Sequence, residues 1–112
     1  MAMFKVRRIR DNDAAAVIAL LNFSFPHVGM TLEKLEERIA RGARFAVAET
    51  GGEIIGFADL GVGRLALLRG IAVREEWQGK GVGSALVGKA VEEAKLAGKT
   101  KVWLRVRISN AE

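Results

Sequence analysis

The stretch 65–98, LALLRGIAVREEWQGKGVGSALVGKAVEEAKLAG, limits the fold more tightly than any other part of this chain. Its opening, LALLRGIAV, is almost continuously apolar, which fits a strand covered on both faces. Its end, SALVGKAVEEAKLAG, sets Leu86, Val87, Ala90, Val91 and Ala94 on one helix face, and Gly98 supplies the stop. KVWLRVRI then reads as a further strand. A strand, a crossover helix and a second strand form a right-handed parallel unit, so the helix must begin beside the carboxyl end of the first strand.

At that junction stand Gly79, Gly81 and Gly83. A helix N-terminus offers unpaired N–H groups and about half a positive charge, and residues without a Cβ let phosphate oxygens come close. Successive amides there can converge on a diphosphate, with Lys80 adding a mobile cation and the Ser84 hydroxyl a further donor. A plain tight turn needs one or two glycines, and three at alternate positions favour phosphate. A P-loop would need Gly-Lys-Ser/Thr where Gly83-Ser84-Ala85 stands, and the dinucleotide fingerprint would need a small residue in place of Leu86.

The rest of the chain reads as one domain, residues 1–112, of mixed α/β type. FKVRRIR suits a first strand, and DNDAAAVIALLN a helix with Val17, Ile18 and Leu21 on its inner face. FSFPHVGM is a loop, and Thr31 caps a second helix whose Leu32, Leu35 and Ile39 share a stripe that ends at Gly42. RFAVAET and EIIGFADL flank Gly51-Gly52, a two-residue hairpin signal, and GVGR turns the chain into the buried strand.

Without cysteine, and with His27 as the one histidine, the chain can form no disulfide, and its composition speaks against a structural zinc site and against Cys–His or Ser–His catalysis. No metal is expected. MFKVRRIR lacks an apolar run of signal-peptide length, so a cytoplasmic, membrane-free protein is expected. The net charge of +5 favours an anionic partner, and both a phosphorylated cofactor and nucleic acid qualify. Aromatic residues make up only 6%, which leaves little for base stacking and ranks nucleic acid second.

Gln78, Gly81 and Gly83 meet the pattern Gln/Arg-x-x-Gly-x-Gly/Ala, and IAVREEWQGKGVGSALVGKAVEEAKLAG resembles the strand, pyrophosphate loop and helix of the GNAT superfamily of N-acetyltransferases. The resemblance covers the whole chain and is most specific over residues 67–98. It implies the acyl-CoA N-acyltransferase fold, with acetyl-CoA as co-substrate and a primary amine as acceptor. Ile71, Ala72 and Val73 would then pair with the pantetheine arm like an added strand, and the segment Gly79, Lys80, Gly81, Val82, Gly83, Ser84 would hold the pyrophosphate. A backbone N–H at or next to Val73 would receive the charge developing on the thioester oxygen.

The tail VWLRVRISNAE resembles family members that acetylate protein N-termini, including ribosomal-protein alanine acetyltransferases. Where those enzymes carry a glutamate base on this strand, Arg105 stands here, a cation that cannot accept a proton. The family continues into a fourth helix, with a tyrosine that reprotonates the thiolate, and a closing strand pair; Asn110, a candidate contact to CoA, would begin that helix. This chain stops at Glu112 and has no tyrosine, so the sequence implies a shortened member of the family, with no assignable catalytic residue. The outer edge of KVWLRVRI would be left open, and a homodimer is expected to cover it. Glu49 and Asp59 are candidate proton relays expected to edge strands in solvent. Glu75 and Glu76 should face water, His27 a solvated loop, Trp77 should pack near the helix, and Trp103 belongs to core or dimer surface. A non-catalytic cofactor-binding or partner-binding module is the alternative to an enzyme.

Overall fold

The computed structural model describes the backbone of residues 3–109 and the side chains of residues 3–105. In chain order the elements are β1 (Lys5–Arg8), α1 (Ala14–Ser24), α2 (Leu32–Ala40), β2 (Arg44–Thr50), β3 (Glu53–Val62), β4 (Ala66–Val73), α3 (Val82–Leu96) and β5 (Val102–Ser109). Short 3₁₀ turns lie at Asp11–Asp13, Pro26–Val28 and Glu75–Trp77. The second of these occupies part of the segment expected as plain loop. No helix among the described residues is long and apolar enough to cross a membrane.

The sheet runs in sequence order, β1-β2-β3-β4-β5. The first four strands are antiparallel and β5 is parallel to β4, as the crossover requires. Gly51 and Gly52, at φ 56° and 84°, make the tight β2–β3 turn, because two consecutive positive φ values match the twist of the paired strands. Thr31 caps α2 by accepting from the Lys34 amide at 3.1 Å.

Helices cover both faces of the sheet. Alternation along β2 sends Phe45 and Val47 toward α1 and α2, and Ala46 and Ala48 toward α3. The first layer is completed by Val17, Leu21, Leu35 and Phe57, the second by Ile55, Leu60, Leu68 and Leu86. Trp77 packs on the α3 side, edge-on to Phe4 with ring centroids 6.3 Å apart. At the outer edge, Trp103 and Leu104 are 53% and 67% exposed. Neighbours in a strand point to opposite faces, so neither face of β5 is covered there, and Trp103 is no core residue.

Two expected helix faces turn out differently. In α3 the buried positions are Val82, Leu86, Ala90, Glu93 and Ala94, while Val87 is exposed and Val91 half-buried. The helix is rotated because Glu93 is drawn inward: its carboxylate accepts from Arg8 at 2.7 Å and Arg44 at 3.1 Å, with Lys89 at 3.5 Å. In α2 only Leu35 is buried, and Leu32 and Ile39 remain largely at the surface.

The first helical turn is tied to the sheet by a second carboxylate, Asp13. Arg7 donates to both of its oxygens at 2.7 and 3.0 Å, and the Arg10 amide adds a bond of 2.7 Å. The Arg7 guanidinium is the main reason the Asp13 carboxyl lies below its ordinary value. For Glu93, burial alone would push the carboxyl up, but hydrogen bonds from Arg8 and Arg44 and the charge of Lys89 outweigh it and hold the group below its ordinary value.

Depressed folded-state values mean that both carboxylates contribute their full stabilisation above the ordinary values of 3.8 and 4.5, and lose it as pH falls through the lower folded-state values. Urea unfolding is therefore expected to weaken steeply below pH 4.5 and less steeply in Glu93→Gln. At neutral pH that variant should lose about 2 kcal/mol, less than the ~3–5 kcal/mol of a fully buried pair because its cations keep access to water.

Candidate functional site

Between β4 and α3 the chain turns through the 3₁₀ turn at Glu75–Trp77 and the glycine junction. Gly79 and Gly81 have φ of 76° and 87°, a region that costs any residue with a Cβ about 1–2 kcal/mol. Gly83, by contrast, lies in the first turn of α3. The first amide to join the helical ladder is that of Ala85, which donates to the Gly81 carbonyl at 3.1 Å. Among the described residues, no backbone carbonyl accepts from the amides of residues 79–84. A Cβ built on Gly79, Gly81 or Gly83 meets no heavy atom within 4 Å, so this row of donors opens outward. No acidic residue stands in the first turn of α3. Lys80 and Ser84 are exposed beside the opening, while the Val82 side chain is buried in the core and leaves only its amide for a ligand.

The junction is fixed to the end of β4. Gln78 donates its side-chain amide to the Val73 carbonyl at 3.0 Å, a structural contact the sequence pattern does not announce. The Arg74 amide donates to the Ile55 carbonyl at 2.8 Å, so Gly56 and Val73 face each other as a non-hydrogen-bonded pair. The main-chain groups of Val73 therefore point away from β3, toward the side of β4 where β5 lies, and those of Ile71 do the same. Along that side β5 places Ile108 opposite Ile71 and Ser109 opposite Ala72, the last pair among the described residues. Asn110 falls outside the described residues.

The α1/α2 face of β4 carries a groove of about 700 Å³, whose walls include Phe25, His27, Arg38, Asp59, Arg69 and Arg105. His27 is exposed, as expected of its segment, but it stands at this groove. Asp59 is not at a solvated strand edge: it is 3% exposed and accepts from Arg38 at 2.5 Å and Arg69 at 3.0 Å. Burial of a carboxylate inside a sheet requires such partners, and two arginines supply them. Glu49 is likewise not free in solvent. Its side chain is 17% exposed and accepts from Arg7 Nε at 2.6 Å, which holds its carboxyl below the ordinary range. Neither is poised as a general base. Glu75 and Glu76 do face water. No group of three or more His, Cys, Asp or Glu side chains that could hold a metal occurs among the described residues.

The acetyltransferase (GNAT) family model matches residues 14–112. The chain belongs to the GNAT family. A curated relative, an uncharacterised N-acetyltransferase of Chlorobaculum tepidum, is 36% identical over 88 residues, which cover 76% of this chain and 56% of that protein. The chain thus matches little more than half the length of that relative. Among solved structures, the ribosomal-protein-alanine N-acetyltransferase of Brucella melitensis biovar Abortus superposes with a TM-score of 0.76 at 19% identity, covering 95% of this chain and 81% of that one. An aminoglycoside acetyltransferase in complex with a bisubstrate analogue of CoA and acetylneamine gives 0.82 at 18% identity, with coverage of 95% and 81%. At such identities these structures bear on the fold, which is that of GNAT proteins.

What sequence reasoning missed in this GNAT domain is the Arg38–Asp59–Arg69 group. The signal was present, since Asp59 in EIIGFADL and Arg69 in LALLRGIAV are charges inside strands otherwise buried, and such charges must be paired.

The three glycines should separate experimentally. Gly83→Ala, at a helical position with open space, is expected to stabilise by about 0.5–1 kcal/mol through helix propensity. Gly81→Ala should destabilise by about 1 kcal/mol through its positive φ. Thermal melts followed by circular dichroism check both signs.

Proposed function

We propose that the chain is an N-acetyltransferase that takes acetyl-CoA at the β4–α3 junction and delivers the acetyl group to a primary amine. The observation that carries this reading is the outward-facing row of unpaired amides at residues 79–84 in a GNAT domain. Those amides, with Lys80 and the Ser84 hydroxyl, would hold the pyrophosphate, and bound acetyl-CoA would supply a thioester carbonyl open to attack. The pantetheine arm would run along β4 at Ile71, Ala72 and Val73. Because β5 accompanies β4 at least as far as Ala72, this placement asks the end of β5 to part from β4.

The amine nitrogen would bond to the carbonyl carbon as the carbon–sulfur bond breaks, with the proton given up by the amine ending on the departing CoA sulfur, and negative charge would grow first on the oxygen. The Val73 N–H, turned to that side of the strand, is its proposed donor. The amine must arrive neutral. Asp59 and Glu49 are both engaged by arginines and so are poor bases for a lysine of pKa about 10.4, whereas an α-amine near ~8 is already partly neutral. An α-amine or a small amine is therefore the better acceptor.

The rival nucleic-acid reading has less to draw on than the net charge suggests, because Arg7, Arg8 and Arg44 are directed to internal carboxylates. We further propose that the enzyme works in the cytoplasm, and as a homodimer joined along β5, where Trp103 and Leu104 are exposed. Light scattering that finds a stable, well-dispersed monomer would contradict the dimer.

Calorimetric titration should show saturable binding of CoA and acetyl-CoA. Gly83→Glu, which places a carboxylate at the mouth without backbone strain, should weaken it more than ~10-fold through like-charge repulsion and lost dipole attraction. Binding that ignores this change would overturn the proposed phosphate site.

A further inference from the structure

We propose that the acceptor amine carries a carboxylate, received by Arg38, Arg69 and Arg105 in the groove on the α1/α2 face of β4. This rests on the acetyltransferase reading and names the chemical class of its acceptor.

Charge is the first ground. The walls of the groove hold three guanidiniums and one carboxylate, Asp59, whose two oxygens are already taken, one by Arg38 and one by Arg69. Each of those arginines spends a single nitrogen on Asp59, and Arg105 has no partner among the described residues. A surplus of two positive charges is left in a part-buried cleft floored by Phe25 and Phe57, where charges act more strongly than in water. A neighbouring groove shares Arg38 and Arg69 and adds Lys34 and Arg41, with Glu37 paired to Arg41 at 2.9 Å.

The second ground is how Arg69 is held. Asp59 faces Gly70 and Leu60 faces Leu68, so Arg69 is the extra residue of a bulge in β4. Its guanidinium lies against the backbone of Gly61: a Cβ there would stand 2.9 Å from Cζ and 3.0 Å from Nε. Its Nε is buried with no acceptor. A cation kept merely for solubility needs neither a bulge to aim it nor a glycine to admit it. Pairing with Asp59 uses only part of its fork, and a carboxylate is the planar, bidentate group that fits the remainder.

Position supplies the third ground. Gly70 lines this groove and precedes Ile71, the first residue of the strand segment assigned to the pantetheine arm. An acceptor anchored by its acid group on the arginines can present its amine to β4. A polycationic amine, by contrast, meets like charge.

The carboxylate can belong to a free amino acid or to a peptide with an acidic residue next to its N-terminus, and the test separates the two. Glutamate, a peptide beginning Ala-Glu, each one's uncharged amide counterpart, and neamine are titrated into the protein with and without CoA, followed by amide NMR shifts. The same compounds are assayed for CoA release. An acid should bind about 10-fold tighter than its amide, as expected for one charge-assisted pair in a partly solvated site. Added salt should shrink that margin. Arg105→Gln, at an exposed position, should reduce the preference without loss of fold, Arg69→Gln should abolish it, and Arg69→Lys should restore part; CoA affinity should stay unchanged in all three. Whichever acid shows the margin identifies the source. Equal binding of acids and amides, or a preference for neamine, overturns the proposal even if CoA binds normally. Acid binding that persists while CoA fails to bind supports the arginine site and overturns the acetyltransferase reading instead.

Discussion

A strand buried on both faces can be left only at its end, and the exit from β4 governs much of what surrounds it. The Arg74 amide is tied to Ile55 and the Val73 carbonyl to Gln78, so the chain is pinned on both sides as it leaves the sheet. It must then reverse into α3 within a few residues, which Gly79 and Gly81 permit through their positive φ. The start of any helix leaves donors unpaired, and here the reversal turns a run of them outward beside the last residues of the strand. The proposed anion site and the strand edge are thus one construction, and neither could move without the other.

The polar interior follows a different rule. Asp13, Asp59 and Glu93 are buried, and each is met by at least one arginine. Asp13 and Glu93 join helices to the sheet from opposite faces, and the cavity that Asp13 lines holds more carboxylates than arginines. Asp59 differs because the groove beside it holds three guanidiniums and that one carboxylate. The same pairing chemistry therefore holds the domain together in two places and, in a third, leaves a cleft charged.

The parallel unit, the hairpin at Gly51-Gly52 and the glycine junction could be read from the chain because each rests on local rules: apolar continuity, turn chemistry and helix starts. The inward turn of Glu93 could not, since its partners Arg8 and Arg44 lie in strands far away in sequence, and it rotates the helix by an amount that periodicity alone does not fix. That Asp59 must be paired is legible from its place in an apolar strand, but its second partner, Arg38, lies on a helix far away in sequence, and Glu49 looks like an available carboxylate until Arg7 is brought alongside by the fold. Gln78 matched a family pattern, yet its hydrogen bond to Val73 is a matter of geometry that no spacing states.

The edge-on contact between Trp77 and Phe4 also gives the molecule an optical asymmetry. One indole, Trp77, is partly shielded and sits just before the junction; the other, Trp103, is 53% exposed on the outermost strand. Their emission should differ in colour and in access to quenchers, so the protein contains, without labelling, one reporter beside the glycine junction and another on its far edge.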